Sequence, residues 1–184
     1  YGGMGIIVLA VTVLPSLGVG GLQLMTAESP GHESDKLRAR SIDTAKSLWL
    51  VYFGVTITIA LLLWATPNVG LYDAVAHGLS TAAIGGFSTK NGSIGSFDSY
   101  IVELIIVFGM FVGAMNYNLQ YKFWKSKGNF RVFTRSSEWK LYVRITLSFI
   151  GVIFLMNWLM DSVDVGTAFR DSLFNVVTLA SSTG

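Results

Sequence analysis

Between Leu71 and Thr89 the sequence reads LYDAVAHGLSTAAIGGFST, an apolar run too short to cross a bilayer, ending in Gly85-Gly86 and lying between two runs that are long enough. Such a segment enters a membrane and leaves by the same face. Few folds accommodate one, because backbone at membrane depth must be buried in protein or line water. A weaker copy closes the chain. Aligned without gaps at an offset of 98, Asp73 falls on Asp171, Ser80 on Thr178, Ala82 on Ala180 and Gly86 on Gly184. A span, a re-entrant short helix and a glycine turn, used twice, imply an ion pore built by internal duplication.

The distribution of charge supports this. Only 13% of residues are charged, and residues 1–27, 47–72, 104–121 and 145–160 carry no formal charge at all. Each run grows toward the roughly 20 residues a bilayer core requires once its flanks snorkel. Soluble helices rarely lack a polar face for so long, so the expected class is an all-α polytopic membrane protein with about four spans and two re-entrant pore helices. Lys and Arg gather in two places. Lys36, Arg38, Arg40 and Lys46 lie between spans one and two, and Lys122, Lys125, Lys127, Arg131, Arg135, Lys140 and Arg144 between spans three and four. The positive-inside rule makes both loops cytoplasmic and turns Thr66 to Tyr100 outward. That topology is self-consistent only if 73–89 is re-entrant, since an ordinary span there would put the second basic loop outside. All five tryptophans, Trp49, Trp64, Trp124, Trp139 and Trp158, fall near predicted span ends, as an interfacial belt requires.

The expected organisation follows. Residues 1–25 are the second span of a preceding unit, bent by Pro15 with Gly18, Gly20 and Gly21, and 26–46 a cytoplasmic loop. Residues 47–121 are a complete unit. In it a span to about Thr66 leads to a short helix 74–83 capped by Asp73, then an outer loop, then a span from about Tyr100 to Tyr121. The Gly109-x-x-x-Gly113 spacing in that last span suits close packing. Residues 122–139 are a basic cytoplasmic loop, and 140–184 hold the next span, a short helix of about 168–180 and the start of its glycine loop. A chain stopping there encloses no pore alone, so it reads as a fragment.

Each short helix runs inward from the outer face and directs its C-terminal carbonyls, with a partial charge near −0.5, at the middle of the membrane, where they stabilise a cation. Extended backbone beyond the helix, freed by glycine, can turn carbonyl oxygens toward an axis and replace a hydration shell. Such oxygens are hard ligands suited to an alkali ion. No acidic residue stands in 82–89 or 181–184, in keeping with binding by backbone. The outer acids Asp73, Asp98, Asp161, Asp164 and Asp171 read chiefly as helix caps and solvated groups.

The strings SLWLVY, LYDAVAHGLSTAAIGGFST, FDSY and FNVVTLASSTG, with GGMGIIVLAVTVLPSLGVGG and AESPG before them, closely resemble the TrkH/KtrB potassium-transporter superfamily, whose plant relatives are the HKT transporters. The resemblance covers essentially the whole chain. It implies four non-identical span, pore helix, span units around one pore, of which this chain holds the second span of unit one, all of unit two, and unit three as far as its filter. It implies a potassium filter of backbone carbonyls at Ala83, Ile84, Gly85, Gly86 and Phe87 and at Ser181, Ser182, Thr183 and Gly184. Ile84 departs from the family's frequent Thr, a change expected to affect packing more than selectivity. The first and fourth filters and the gating segment after the third lie beyond the chain. The resemblance further implies a multi-pass protein of the bacterial inner membrane, a homodimer, a cytosolic nucleotide-binding regulatory subunit of the TrkA/KtrA kind, no cofactor and no nucleic-acid partner. The basic loop from Lys122 to Arg144 could dock that subunit or serve as a topogenic, headgroup-binding loop.

Two other readings are weighed against it. A proton- or sodium-coupled carrier with a broken-helix midplane site would carry an acid or histidine inside a span. Glu103 reads as interfacial, and His77 as an imidazole that packs or hydrogen-bonds. An intramembrane hydrolase needs a nucleophile and base in register, which Asp73, His77, Ser80 and Thr81 do not offer beside a glycine turn, so the chain is not read as an enzyme. Asn116 and Asn118 either face a vestibule or bridge helices.

Overall fold

The computed structural model describes residues 33–160 and 164–184, and among them it is built of seven α-helices. Span one, with Pro15 and its glycines, lies outside these residues, as does Asp161. The helices are α1 (Glu33–Trp64), α2 (Leu71–Ala82), α3 (Tyr100–Gly113), α4 (Tyr117–Lys125), α5 (Arg131–Arg135), α6 (Ser137–Met160) and α7 (Val165–Ala180), with a 3-10 helix at Ser93–Phe97. Two stretches, Ser47–Trp64 in α1 and Ser137–Leu159 in α6, are long and apolar enough to cross a membrane. The connector expected over 26–46 is helical from Glu33 onward, continuing into the span.

Both short helices start earlier than the sequence suggests. α2 begins at Leu71, not Ala74, because Gly70 is the extended N-cap residue and Asp73 lies inside the first turn. α7 begins at Val165, where the Asp164 carboxylate accepts the Gly166 N–H at 3.0 Å. Span three is not one helix. The 14 residues of α3 rise only about 21 Å, and after a break at 114–116 the chain resumes as α4. Gln120 reaches back across the break, its Nε2 donating to the Val112 carbonyl at 2.8 Å. The Val112 carbonyl, which also accepts the Met115 N–H at 3.1 Å, thus gains a side-chain partner at the helix end. Asn116, beside the break, donates to the Glu138 carboxylate at 3.1 Å and so bridges to the start of α6.

Small residues bring the helices close. A Cβ on Gly78 of α2 would lie 2.8 Å from the Ala60 Cβ of α1, so the two helices pack almost backbone to backbone. Gly109 faces Thr81 of α2 and Ile59 of α1, and Gly113 faces Ile84 and the Thr81 and Ala82 carbonyls. The expected close packing at Gly109-x-x-x-Gly113 is therefore present, with α2 as the chief partner. The core runs through Val51, Ile59, Leu63, Ala74, Val102, Ile106 and Met110 to Val176 and Val177 of α7. α3 touches both α2 and α7 and joins the complete unit to the next. Elsewhere large apolar side chains face outward, among them Leu50, Ile57 and Leu61 on α1 and Leu147, Val152 and Leu155 on α6. Only 11% of the α6 span is buried, leaving the apolar surface a lipid-facing helix presents.

Candidate functional site in two paired glycine loops

α2 and α7 end in the same way. At α2 the Ala83, Ile84 and Gly85 N–H groups donate to the Leu79, Thr81 and Ser80 carbonyls at 3.0, 3.1 and 2.8 Å. At α7 the Ser181, Ser182 and Thr183 N–H groups donate to Val177, Leu179 and Thr178 at 2.9, 3.0 and 2.9 Å. Every one of these bonds maps onto its counterpart at the offset read from the sequence. The pattern is a Schellman cap, in which the residue after the C-cap is left-handed. Ile84 (φ 54°) and Ser182 (φ 61°) hold that place, followed two residues later by Gly86 (φ 67°) and Gly184 (φ 87°). A β-branched residue in the left-handed region is uncommon. Strained backbone of this kind persists where the surroundings over-determine it and gathers at functional sites.

The loops also meet. A Cβ added to Gly86 would collide with the Thr183 carbonyl oxygen and lie 3.2 Å from that of Gly184. Backbone oxygens of the second loop thus stand against the glycine of the first, and no side chain fits between. Phe87 projects outward, 81% exposed. In the second loop the Ser181 and Thr183 hydroxyls pair at 2.7 Å, so the Ser181 side chain is engaged within its own loop. Tyr117 donates its hydroxyl to the Ala82 carbonyl at 3.2 Å, occupying one acceptor at the end of α2.

Beyond Phe87 the chain is tied back to α2. The Asp73 carboxylate accepts the Thr89 hydroxyl at 2.6 Å and pairs with Lys90 at 3.1 Å. The Thr89 hydrogen bond, then Lys90, holds Asp73 below its ordinary value of 3.8. One turn on, buried His77 places Nδ1 2.8 Å from the Asp73 carbonyl and Nε2 2.9 Å from the Ser88 hydroxyl. Asp73 is therefore a tether for the loop's outer limb, not the helix cap expected of it. α3 and α7 are joined by Arg170 of α7, whose Nε donates to Glu103 of α3 at 2.6 Å while its guanidinium lies 5.9 Å from the Tyr100 ring centroid. Glu103, read from sequence as interfacial, is one half of an inter-unit ion pair.

The residues read as filter candidates, 83–87 and 181–184, are thus two copies of one backbone motif in contact. Sequence reasoning did not single out Tyr117, Gln120, Ser88 or Arg170. The one available signal was the polar trio Ser88-Thr89-Lys90 directly after the glycines; the other partners lie too far along the chain to be paired by spacing.

A family model described as TrkH, cation transport protein, matches residues 1–184. The potassium uptake protein TrkH of Salmonella typhimurium is 40% identical over the whole chain, and that of Escherichia coli K12 is 38% identical. The crystal structure of the potassium transporter TrkH from Vibrio parahaemolyticus superposes with a TM-score of 0.78 at 35% identity, covering 99% of this chain and 36% of that one. This chain spans 38% of the length of the two curated relatives. With the whole chain matched by the family model and by relatives above 30% identity, it belongs to the TrkH family of cation transport proteins.

Proposed function

We propose that the chain supplies two of the units surrounding a potassium pore, and that backbone carbonyls of Ala83–Phe87 and Ser181–Gly184 replace part of the ion's hydration shell as it passes. The observation that carries this reading is the contact of the two loops at Gly86, where the same capped, left-handed backbone arrives from two helices. Both helices present their carbonyl ends to the loops, which favours a cation. The names of the relatives support potassium uptake as the activity of the parent protein. Residues 47–121 act as one complete unit, and residues 140–184 as the first span, pore helix and filter start of the next. The parent is a multi-pass protein of the bacterial inner membrane that works as a homodimer with a cytosolic nucleotide-binding subunit, for which the basic loop from Lys122 to Arg144 is a docking surface.

The test is rubidium and sodium flux through the full-length parent in proteoliposomes, wild type beside Gly86→Ser. Selective rubidium flux that relaxes toward sodium in Gly86→Ser is the expected result, because a side chain there must displace the Thr183 carbonyl. Uptake that appears only under a proton or sodium gradient, with no passive flux in either protein, overturns the filter in favour of a coupled carrier.

A further inference from the structure

The limb leaving the Ala83–Phe87 loop is fastened by three consecutive residues, Ser88, Thr89 and Lys90, to two positions one turn apart on α2. The innermost fastening is the His77–Ser88 bond. We propose that His77 is a positioning residue for this filter, its imidazole holding the far limb of the loop through Ser88 so that Gly86 keeps its place against the Ser181–Gly184 loop; the proposal rests on the filter reading above. The Asp73 carbonyl beside Nδ1 can only accept, so Nδ1 carries the proton. With the proton on Nδ1 alone, Nε2 accepts from the Ser88 hydroxyl, and Ser88 Oγ in turn accepts the Lys90 backbone N–H at 3.1 Å. Phe97 stands edge-on to the ring at 5.2 Å and fixes its plane, and the side chain is 3% exposed, so water does not compete for it.

The consequence is mechanical. The Schellman cap fixes the loop where it leaves α2, and the His77–Ser88 bond fixes it where it returns, so only Ala83 to Phe87 lie between two anchors on one helix. These are the residues proposed to bind the ion. The third unit has Asp171 where the second has Asp73, but Asn175 where the second has His77. A side chain as short as Asn can serve a carbonyl on its own helix, as Nδ1 does, but lacks the length by which Nε2 reaches Ser88.

That difference in reach supplies the experiment. His77→Asn keeps a donor near Nδ1, His77→Gln keeps a group near Nε2, and Ser88→Ala removes the partner. The rubidium-to-sodium permeability ratio of the full-length parent in proteoliposomes is read for each, with Gly86→Ser alongside. His77→Asn and Ser88→Ala are each expected to lower the ratio about fivefold, as befits one lost hydrogen bond. The double variant should be no worse than either single one, and His77→Gln should stay within about twofold of wild type. A wild-type ratio in His77→Asn and Ser88→Ala while Gly86→Ser is relaxed overturns the positioning role and leaves the filter reading intact. So does a His77→Gln protein no better than His77→Asn, because the ring would then act only by filling space. If Gly86→Ser itself keeps the wild-type ratio, the filter reading fails and the positioning role with it. Should the His77 variants not fold, Ser88→Ala, which leaves α2 untouched, decides alone.

Discussion

At the scale of single residues, what matters is which side chains hold unusual backbone in place. Ser182 adopts φ 61° with its side chain exposed, so Ser182→Gly removes left-handed strain without losing packing. A rise in unfolding free energy of about 1 kcal/mol, measured by denaturation of the parent in detergent, is expected. Gly86 is the opposite case, since any side chain there meets backbone of the other loop. Asp73 gives a pH dependence. Its native value is lowered below 3.8, so its contribution is complete above that pH and is lost as the pH falls through the lowered native value. Asp73→Asn should therefore melt below wild type at pH 7 and at pH 5, with the gap closing only in stronger acid. The sequence marked Asp73 through its place before an apolar run, which is also how a helix cap looks. Its actual partners, Thr89 and Lys90, become neighbours only once the glycine loop has folded back.

Among the elements, α3 ties the two short helices together, since it packs on α2 and touches α7. Gly109→Leu should separate α3 from Thr81 and Ile59 and cost about 1–3 kcal/mol of stability, seen as a lowered melting temperature. The Arg170–Glu103 pair joins α3 to α7 with one partner 37% exposed and the other 14%. A double-mutant cycle with Arg170→Met and Glu103→Gln should return a favourable coupling, and a value near zero would remove the pair as a fastening between α3 and α7. Spacing alone disclosed the small-residue seam at Gly109 and Gly113 because the signal is local. The break after Gly113 was hidden because the run from Leu104 to Tyr121 is uncharged throughout. Hydropathy registers membrane depth but not the Gln120 hydrogen bond that bridges the break.

For the whole molecule the question is which side each connection faces. The chain contains no cysteine, so a single one introduced into a cysteine-free parent reports its own side without background. Ser126→Cys, beside Lys125 and Lys127, should react with an impermeant maleimide only from the cytoplasmic face, and Asn91→Cys, just past the tethered limb, only from the outside. Reversed labelling, Ser126→Cys from the outside and Asn91→Cys from the cytoplasmic face, would overturn re-entrance of 71–89, because an ordinary span there puts the second basic loop outside. The expected topology rests on the clean segregation of the basic residues, and the duplication was legible because its register survives without a gap. The meeting of the two loops was not legible, because nothing in a linear repeat says that its copies touch.

That meeting constrains how the copies diverge. Since the Thr183 carbonyl fills the space a side chain at position 86 would need, the two halves of the old duplication are not free to drift separately. A substitution at the first glycine is admissible only with a compensating shift in its sister copy. A chimaera that exchanges one unit between relatives should fail more often than one that carries both across as an inherited pair.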